Sequence, residues 1–199
     1  MIENMFNELT LLDGIFEKEN KYITFFGSAR LEADNIYCKK AYEIAKKLAD
    51  NDFSIVTGGG DGIMQAANKG AYDAGKNSIG INIQLPFEQD SNPYINKGTK
   101  LKNLSLRKSA LIEYSKAFIV FPGGYGTLDE LFEILCLVQT KLREDNKIYL
   151  IGIDFWSKLD DFIRTTLVEN MTISPNDSNL YTIEDDINKV FNYIINSAK

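Results

Sequence analysis

The chain has 199 residues, of which 44% are hydrophobic and 25% charged, with a formal net charge of −6 and no histidine. Its length and apolar content are enough for one sizeable core, and the negative charge disfavours a nucleic-acid backbone as the main partner while allowing a local basic pocket for a small phosphate ester. The missing histidine removes Ser-His-Asp and Cys-His nucleophile schemes, imidazole zinc sites and histidine general bases, so any catalysis falls to carboxylates, Arg, Lys, Tyr or the backbone. No carboxylate cluster has metal-site spacing, and no metal is expected. Cys38 and Cys136 lack metal-like spacing and lie in helical patterns, which predicts buried thiols of a cytoplasmic protein. No apolar stretch reaches membrane-span length, and the acidic start, with Glu3 and Glu8, does not read as a signal peptide. We expect one domain over residues 1–199, with residues 1–20 as an N-terminal arm or cap and residues 184–199 as a C-terminal helix.

In chain order, strand and helix patterns alternate. Tyr22 to Phe26 reads as a strand, Cys38, Ala41, Ile44, Ala45 and Leu48 as a helical stripe, and Phe53 to Val56 as a second strand. Ile63, Ala66, Ala67 and Ala71 mark the next helix, and Ser78 to Ile83 a third strand. A long polar connection follows through Leu85-Pro86, Asn92-Pro93 and Gly98, long enough to be a lid or specificity loop. A short strand near Lys100 to Leu104 precedes a helix from Leu106 to about Tyr114. The apolar run Ala117 to Phe121 is the expected central strand, followed by a helix to about Leu142 with Leu128, Leu131, Phe132 and Leu135 on its apolar side. A strand from Ile148 to Ile153, a helix from Phe155, a polar stretch at Ser174 to Asn179 expected to be mobile, and a last helix with Ile187, Val190, Phe191 and Ile194 complete the chain. Such alternation predicts an α/β, Rossmann-like three-layer fold, its sheet mainly parallel with helices on both faces.

Three turns at strand ends carry the chemistry. In Phe121 to Glu130, FPGGYGTLDE, Gly123, Gly124 and Gly126 allow close approach of the backbone to an anion at the unpaired N–H groups of a helix start. Thr127 adds a hydroxyl, and Asp129 and Glu130 place carboxylates beside the turn, which a site for phosphate storage alone would not need. Thr57 to Gly62, TGGGDG, is a second glycine cluster between strand and helix, and Phe26 to Arg30, FGSAR, a third turn. Loops at the carboxyl ends of strands in an open α/β sheet point to one shared crevice. Hydride transfer is disfavoured: after the first strand only Gly27 is present, and after the second a G-x-G-x-x-G would need glycine at Ile63. A P-loop is equally disfavoured, because Gly70 to Asn77 lies in a helical pattern and Asn77 stands where Ser or Thr is needed.

Together FGSAR, TGGGDGIM at Thr57 to Met64, Arg107-Lys108 and PGGYGTLDE at Pro122 to Glu130 resemble the LOG family of cytokinin riboside 5′-monophosphate phosphoribohydrolases, often labelled lysine decarboxylase-like. The resemblance covers roughly residues 20 to 170. It implies a homodimeric, Rossmann-like enzyme hydrolysing the N-glycosidic bond of a nucleoside 5′-monophosphate, AMP or an N6-modified AMP, to free base and ribose 5-phosphate. The catalytic pair of the family falls on Arg107 and Glu130, and its phosphate turn on Gly123, Gly124, Gly126 and Thr127. Gly59, Gly60, Lys108 and Tyr125 join these as expected substrate-binding residues, with Tyr125 and the loop after Ile83 serving the base. A carboxylate can stabilise the oxocarbenium-like transition state of such a bond cleavage, with no metal, cofactor or histidine. Lysine decarboxylation would require pyridoxal phosphate on a lysine, and none but Lys108 stands near the turn. The alternative is a non-catalytic nucleotide or molybdenum-cofactor carrier, to which an Arg-Glu pair would be of no use.

Overall fold

The computed structural model describes residues 2–17, 21–86, 90–143 and 147–197. Seven strands form one sheet in the order β4-β3-β2-β1-β5-β6-β7, all of them paired in parallel. They are β1 (Lys21–Phe26), β2 (Phe53–Thr57), β3 (Ser78–Ile83), β4 (Lys97–Leu101), β5 (Ser115–Val120), β6 (Lys147–Leu150) and β7 (Thr182–Ile183). The helices are α1 (Ile2–Thr10), α2 (Ile36–Ala49), α3 (Ile63–Asp73), α4 (Leu104–Glu113), α5 (Tyr125–Gln139), α6 (Ile153–Asp161) and α7 (Ile187–Ser197). The chain leaves β1 outward to β4, then crosses back to lay β5 on the other side of β1. Strand order therefore reverses between β1 and β5, the place where open α/β sheets gather their ligands.

Two cores sandwich the sheet because side chains alternate along each strand. Tyr22, Phe26, Val56, Phe118, Val120, Ile148 and Leu150 meet Leu111 of α4, Leu131 and Ile134 of α5 and Trp156 of α6 on one face. Ile23, Phe25, Ile55, Ile119, Phe121 and Tyr149 meet Ile44 of α2, Ile63 of α3 and Val190 of α7 on the other. Strands buried on both sides favour apolar residues throughout, which is why β1, β2 and β5 read as mainly apolar runs, their buried polar positions being the small hydroxyl residues Thr24, Ser54, Thr57 and Ser115.

Several boundaries differ from the sequence reading. The strand expected near Lys100 to Leu104 lies at Lys97–Leu101, and Gly98, taken as loop, is inside it, paired with Gly80. An edge strand with alternating exposure and the sequence KGTKL has the composition of a loop, and only its pairing with β3 reveals it. Helix α4 begins at Leu104, two residues before the expected start, and α5 ends at Gln139 rather than Leu142. Of Gly70 to Asn77 only the first part is helical, since α3 ends at Asp73. After α6 the chain continues as a π-helical segment over Phe162–Leu167. Within the polar stretch Ser174 to Asn179, Pro175–Asn179 forms a 3-10 turn with a reciprocal Ser174–Asp177 cap. Cys38 is buried but Cys136 is exposed, and Phe132 is also exposed. The buried stripe of α5 runs through Thr127, Glu130, Leu131, Ile134, Leu135 and Val138, so positions 132 and 136 fall outside it. Residues 87–89 of the suggested specificity loop lie outside the described residues. No described helix is long and apolar enough to cross a membrane.

Candidate active site

The turns after β1, β2 and β5 converge at the switch point. The N–H of Ser28 donates to the Pro122 carbonyl at 3.0 Å, and that of Ile63 donates to the Ser28 carbonyl at 3.0 Å, joining the three loops through backbone alone. Helix α5 starts at Tyr125 with Gly124 as its cap and no side-chain hydrogen bond to its first N–H groups. A Cβ on Gly124 or Gly126 would meet no atom within 4 Å. Above this helix start there is thus open space over unclaimed donors, the arrangement that receives a phosphate. Gly123 lies against the buried Thr127, whose hydroxyl occupies the place a side chain at 123 would need. Tyr125 is 93% exposed at the rim.

Arg107 leaves α4 and crosses to the loops. Its Nε donates to the Ile81 carbonyl at 2.9 Å and its Nη1 to Glu130 Oε1 of α5 at 3.3 Å. The far edge of the guanidinium fills the space beside Gly58, where a Cβ would overlap Nη2. Glycine at that position is a requirement of the arginine. Both members of the pair are largely buried, with side-chain exposures of 12% and 11%. Burial pushes the Glu130 carboxyl up to about 7, against the opposing pull of Arg107; Asp129 adds to the rise and Lys108 reduces it. A carboxyl group titrating there is able to exchange protons at neutral pH.

Lys108 does not face the glycine turn. Its Nζ is 2.9 Å from Asp129 Oδ2 and 2.9 Å from Glu133 Oε2. The second is a charge contact rather than a directed bond, as Glu133 Oε2 has no hydrogen-bond partner. Burial would lower the Lys108 pKa, but the two carboxylates outweigh it and raise it. Asp129 is thereby committed to Lys108, and Glu130 alone of the two is buried beside Arg107.

The second glycine cluster is held by a buried amide network that sequence reasoning did not identify. Thr57 Oγ1 donates to Asn68 Oδ1 at 2.6 Å and accepts the Gly59 N–H at 2.9 Å. Asn92 Nδ2 donates to Asn68 Oδ1 at 2.9 Å and to the Gly60 carbonyl at 3.0 Å. Asn82 Nδ2 reaches the Gly59 carbonyl at 3.2 Å. Both backbone groups of Gly59, which has φ of +75°, are therefore used inside the loop. The available signal was polar residues in apolar surroundings: Asn82 interrupts the strand SIGINI, and Asn68 sits on the buried stripe of α3. Among the described residues no group of three or more His, Cys, Asp or Glu could hold a metal ion. Cavities of ≈ 780 Å³ beside Lys147, Tyr149 and Thr182 and ≈ 650 Å³ between α2 and α3 include neither Arg107 nor Glu130. The candidate site is the crevice at the switch point, outside both cavities.

The strand order and its switch point define an α/β protein of Rossmann-like fold, with an uncapped glycine-rich helix start beside a buried arginine–carboxylate pair. The family model described as possible lysine decarboxylase matches residues 64–194, and the chain belongs to that family, the LOG family of the sequence resemblance. A probable cytokinin riboside 5′-monophosphate phosphoribohydrolase of Arabidopsis thaliana is 31% identical over 120 residues, 59% of this chain and 59% of that protein. The chain thus spans less than two thirds of that relative. A second A. thaliana protein, named cytokinin riboside 5′-monophosphate phosphoribohydrolase, is 29% identical over 162 residues, 79% of this chain and 74% of the relative. Among solved structures, the molybdenum cofactor carrier protein of Chlamydomonas reinhardtii superposes with a TM-score of 0.67 at 20% identity, covering 91% of this chain and all of that one. At that identity the likeness is one of fold.

Proposed function

We propose that this protein hydrolyses the N-glycosidic bond of a nucleoside 5′-monophosphate to free base and ribose 5-phosphate. The observation that carries the reading is the buried Arg107–Glu130 pair, 3.3 Å apart, next to the open helix start of α5. In this reading the 5′-phosphate sits on the N–H groups of the turn Gly123 to Thr127, with Gly124 and Gly126 bare to admit it. Arg107 takes the ribose or phosphate side, and Gly59 and Gly60 form the wall beside it. Lys108 contributes positive potential and holds α4 to α5.

The bond from C1′ to the base nitrogen breaks as positive charge develops on the sugar, and the Glu130 carboxylate stabilises that charge. A water oxygen bonds to C1′, one of its protons passes to Glu130, and the departing base recovers it. A group titrating at about 7 suits both transfers. Adenine nucleotides are the substrate class, AMP or an N6-modified AMP, with Tyr125 and the loop after Ile83 on the base side. The reading is metal-independent and describes a cytoplasmic homodimer. Pyridoxal-dependent decarboxylation does not suit these residues, because a Schiff base needs an unprotonated amine and two carboxylates hold Lys108 as ammonium.

The test is incubation with AMP and with isopentenyladenosine monophosphate, with and without a chelator, following free base and ribose 5-phosphate. Release that survives chelation, and falls at least about a hundredfold in Glu130→Gln with nucleotide still bound, is expected. Nucleotide bound without release, by the native protein, would move the function to carriage.

A further inference from the structure

Helix α4 carries Arg107, and the segment before β1 holds that helix at both ends. At its start, the Glu8 carboxylate of α1 accepts the Lys102 N–H at 3.1 Å through Oε1 and the Asn103 N–H at 3.0 Å through Oε2. Asn103 is the N-cap of α4, and its side chain in turn accepts the Leu106 N–H at 3.0 Å. At the other end Phe16 stacks on Tyr114, the C-cap residue, with ring centroids 4.5 Å apart and planes 11° from parallel. Between these points Ile15 is buried in the core that α4 also covers, and Lys97 of β4 pairs with Glu17 at 2.7 Å. The family match begins at residue 64, so this arm lies outside it.

An arm that only covered apolar surface would need Leu12, Ile15 and Phe16 but no buried carboxylate. Glu8 is 8% exposed, and burial of a charge is unfavourable unless strong hydrogen bonds offset it. Here two consecutive N–H groups at the positive end of a helix supply them. Their position bears directly on the site. The Arg107 N–H donates to the Asn103 carbonyl at 3.0 Å, so the residue that Glu8 grips is one helical turn from Arg107 and bonded to it. The Arg107–Glu130 contact of 3.3 Å is already at the long end of the hydrogen-bond range. A small retreat of α4 would open it.

We propose that Glu8 is a positioning residue: by fixing the start of α4 it sets the reach of Arg107 toward Glu130. The inference rests on the reading of that pair as the reacting groups, but its central claim concerns geometry and is measurable without turnover. The charged groups that face Glu130 are Arg107 and Lys108 from α4 and Asp129 on its own helix, with Glu133 bound to Lys108 beside them. Withdrawing α4 removes the influence of Arg107 and Lys108, which favour the ionised carboxylate, and admits water, which favours it too, so the midpoint moves by the balance of the two.

The experiment follows the Glu130 carboxyl by carbon NMR, assigned with Glu130→Gln, together with AMP turnover, in native protein, Glu8→Ala, Glu8→Gln and Phe16→Leu. In Glu8→Ala the Glu130 titration midpoint is expected to move by about half a pH unit or more. Its kcat is expected to fall roughly tenfold with KM changed less than about threefold, as for a group acting through transition-state geometry. Glu8→Gln gives the same direction at smaller size and serves if Glu8→Ala does not fold. Phe16→Leu, which loosens the far end of α4 and leaves the Glu8 bonds at its start, is expected to lose stability with smaller changes in both readings. Unchanged titration and kcat in both Glu8 variants, or equal changes in Phe16→Leu, would overturn the proposal. If the native protein releases no base, the hydrolase reading falls while the titration midpoint still decides the role of Glu8.

Discussion

Glu130 is held in a state that favours its proton, and this has a consequence for stability separate from any activity. Its carboxyl is raised from 4.5 to about 7 by burial, so the folded protein binds that proton more tightly than the unfolded chain. Below about pH 4.5 both states are protonated and the group contributes nothing to pH dependence. As pH rises toward 7 the unfolded chain ionises first, and the folded state loses up to about 3 kcal/mol relative to it. Glutamine copies the protonated form and cannot ionise. The stability of Glu130→Gln relative to the native protein is therefore expected to grow with pH, by about 3 kcal/mol between pH 4.5 and pH 8. Urea unfolding of both proteins across that range measures it, and parallel pH profiles would show that Glu130 is not so perturbed. The sequence carried half of this. A carboxylate at the start of a helix after a glycine turn was legible, as was Arg107 by resemblance. Their burial against each other was not, because 23 positions separate them and only the packing of α4 on α5 makes the pair.

At the scale of elements, the strands inside the sheet were the most legible because burial on both faces leaves a mainly apolar signal, as in Phe53–Thr57 and in the run Ala117 to Val120 of β5. The edge was the least legible, since β4 and the two-residue β7 draw their identity from partners distant in sequence. The junction of α3 with β2 and β3 was hidden for a similar reason. Its centre is one amide, Asn68, fully buried, which accepts from Thr57 and Asn92 and donates to Ser78 Oγ at 2.9 Å and to the Ile79 carbonyl at 3.2 Å. An asparagine in a helical stripe of alanines marks a buried polar group, but which four partners satisfy it is set only by the packing of α3 on the sheet. Removing that side chain strands several buried polar groups at once, each a loss of about 1–3 kcal/mol. Asn68→Ala is expected to lower unfolding free energy by about 3 kcal/mol or more and to loosen the loop from Gly58 to Gly60. Chemical denaturation and amide exchange of the Gly59 N–H would register both effects. A loss below about 1 kcal/mol would mean that water replaces the amide at little cost.

For the whole molecule the question is whether two cores on opposite faces of one sheet behave as one cooperative unit. Strands β1, β2, β5 and β6 contribute alternate side chains to both, as Phe25 and Phe26 do on β1 and Phe118 and Ile119 on β5. A strand cannot leave one core and remain in the other without losing its neighbours in the sheet, so disorder on one face should propagate through the strands to the other. The chain contains one tryptophan, and Trp156 is buried in the core covered by α4, α5 and α6, with its indole N–H on the Ile151 carbonyl at 3.1 Å. Ile44 of α2 is fully buried in the opposite core. Ile44→Ala is expected to remove about 2–5 kcal/mol by cavity formation. Because the sheet links the faces, Trp156 fluorescence should report that loss as fully as far-ultraviolet circular dichroism, with both midpoints moving together. A circular-dichroism midpoint that drops while the Trp156 transition stays in place would show that the α2-α3-α7 face melts alone, and the reading of residues 1–199 as one domain would have to be given up for two cooperative units sharing a sheet.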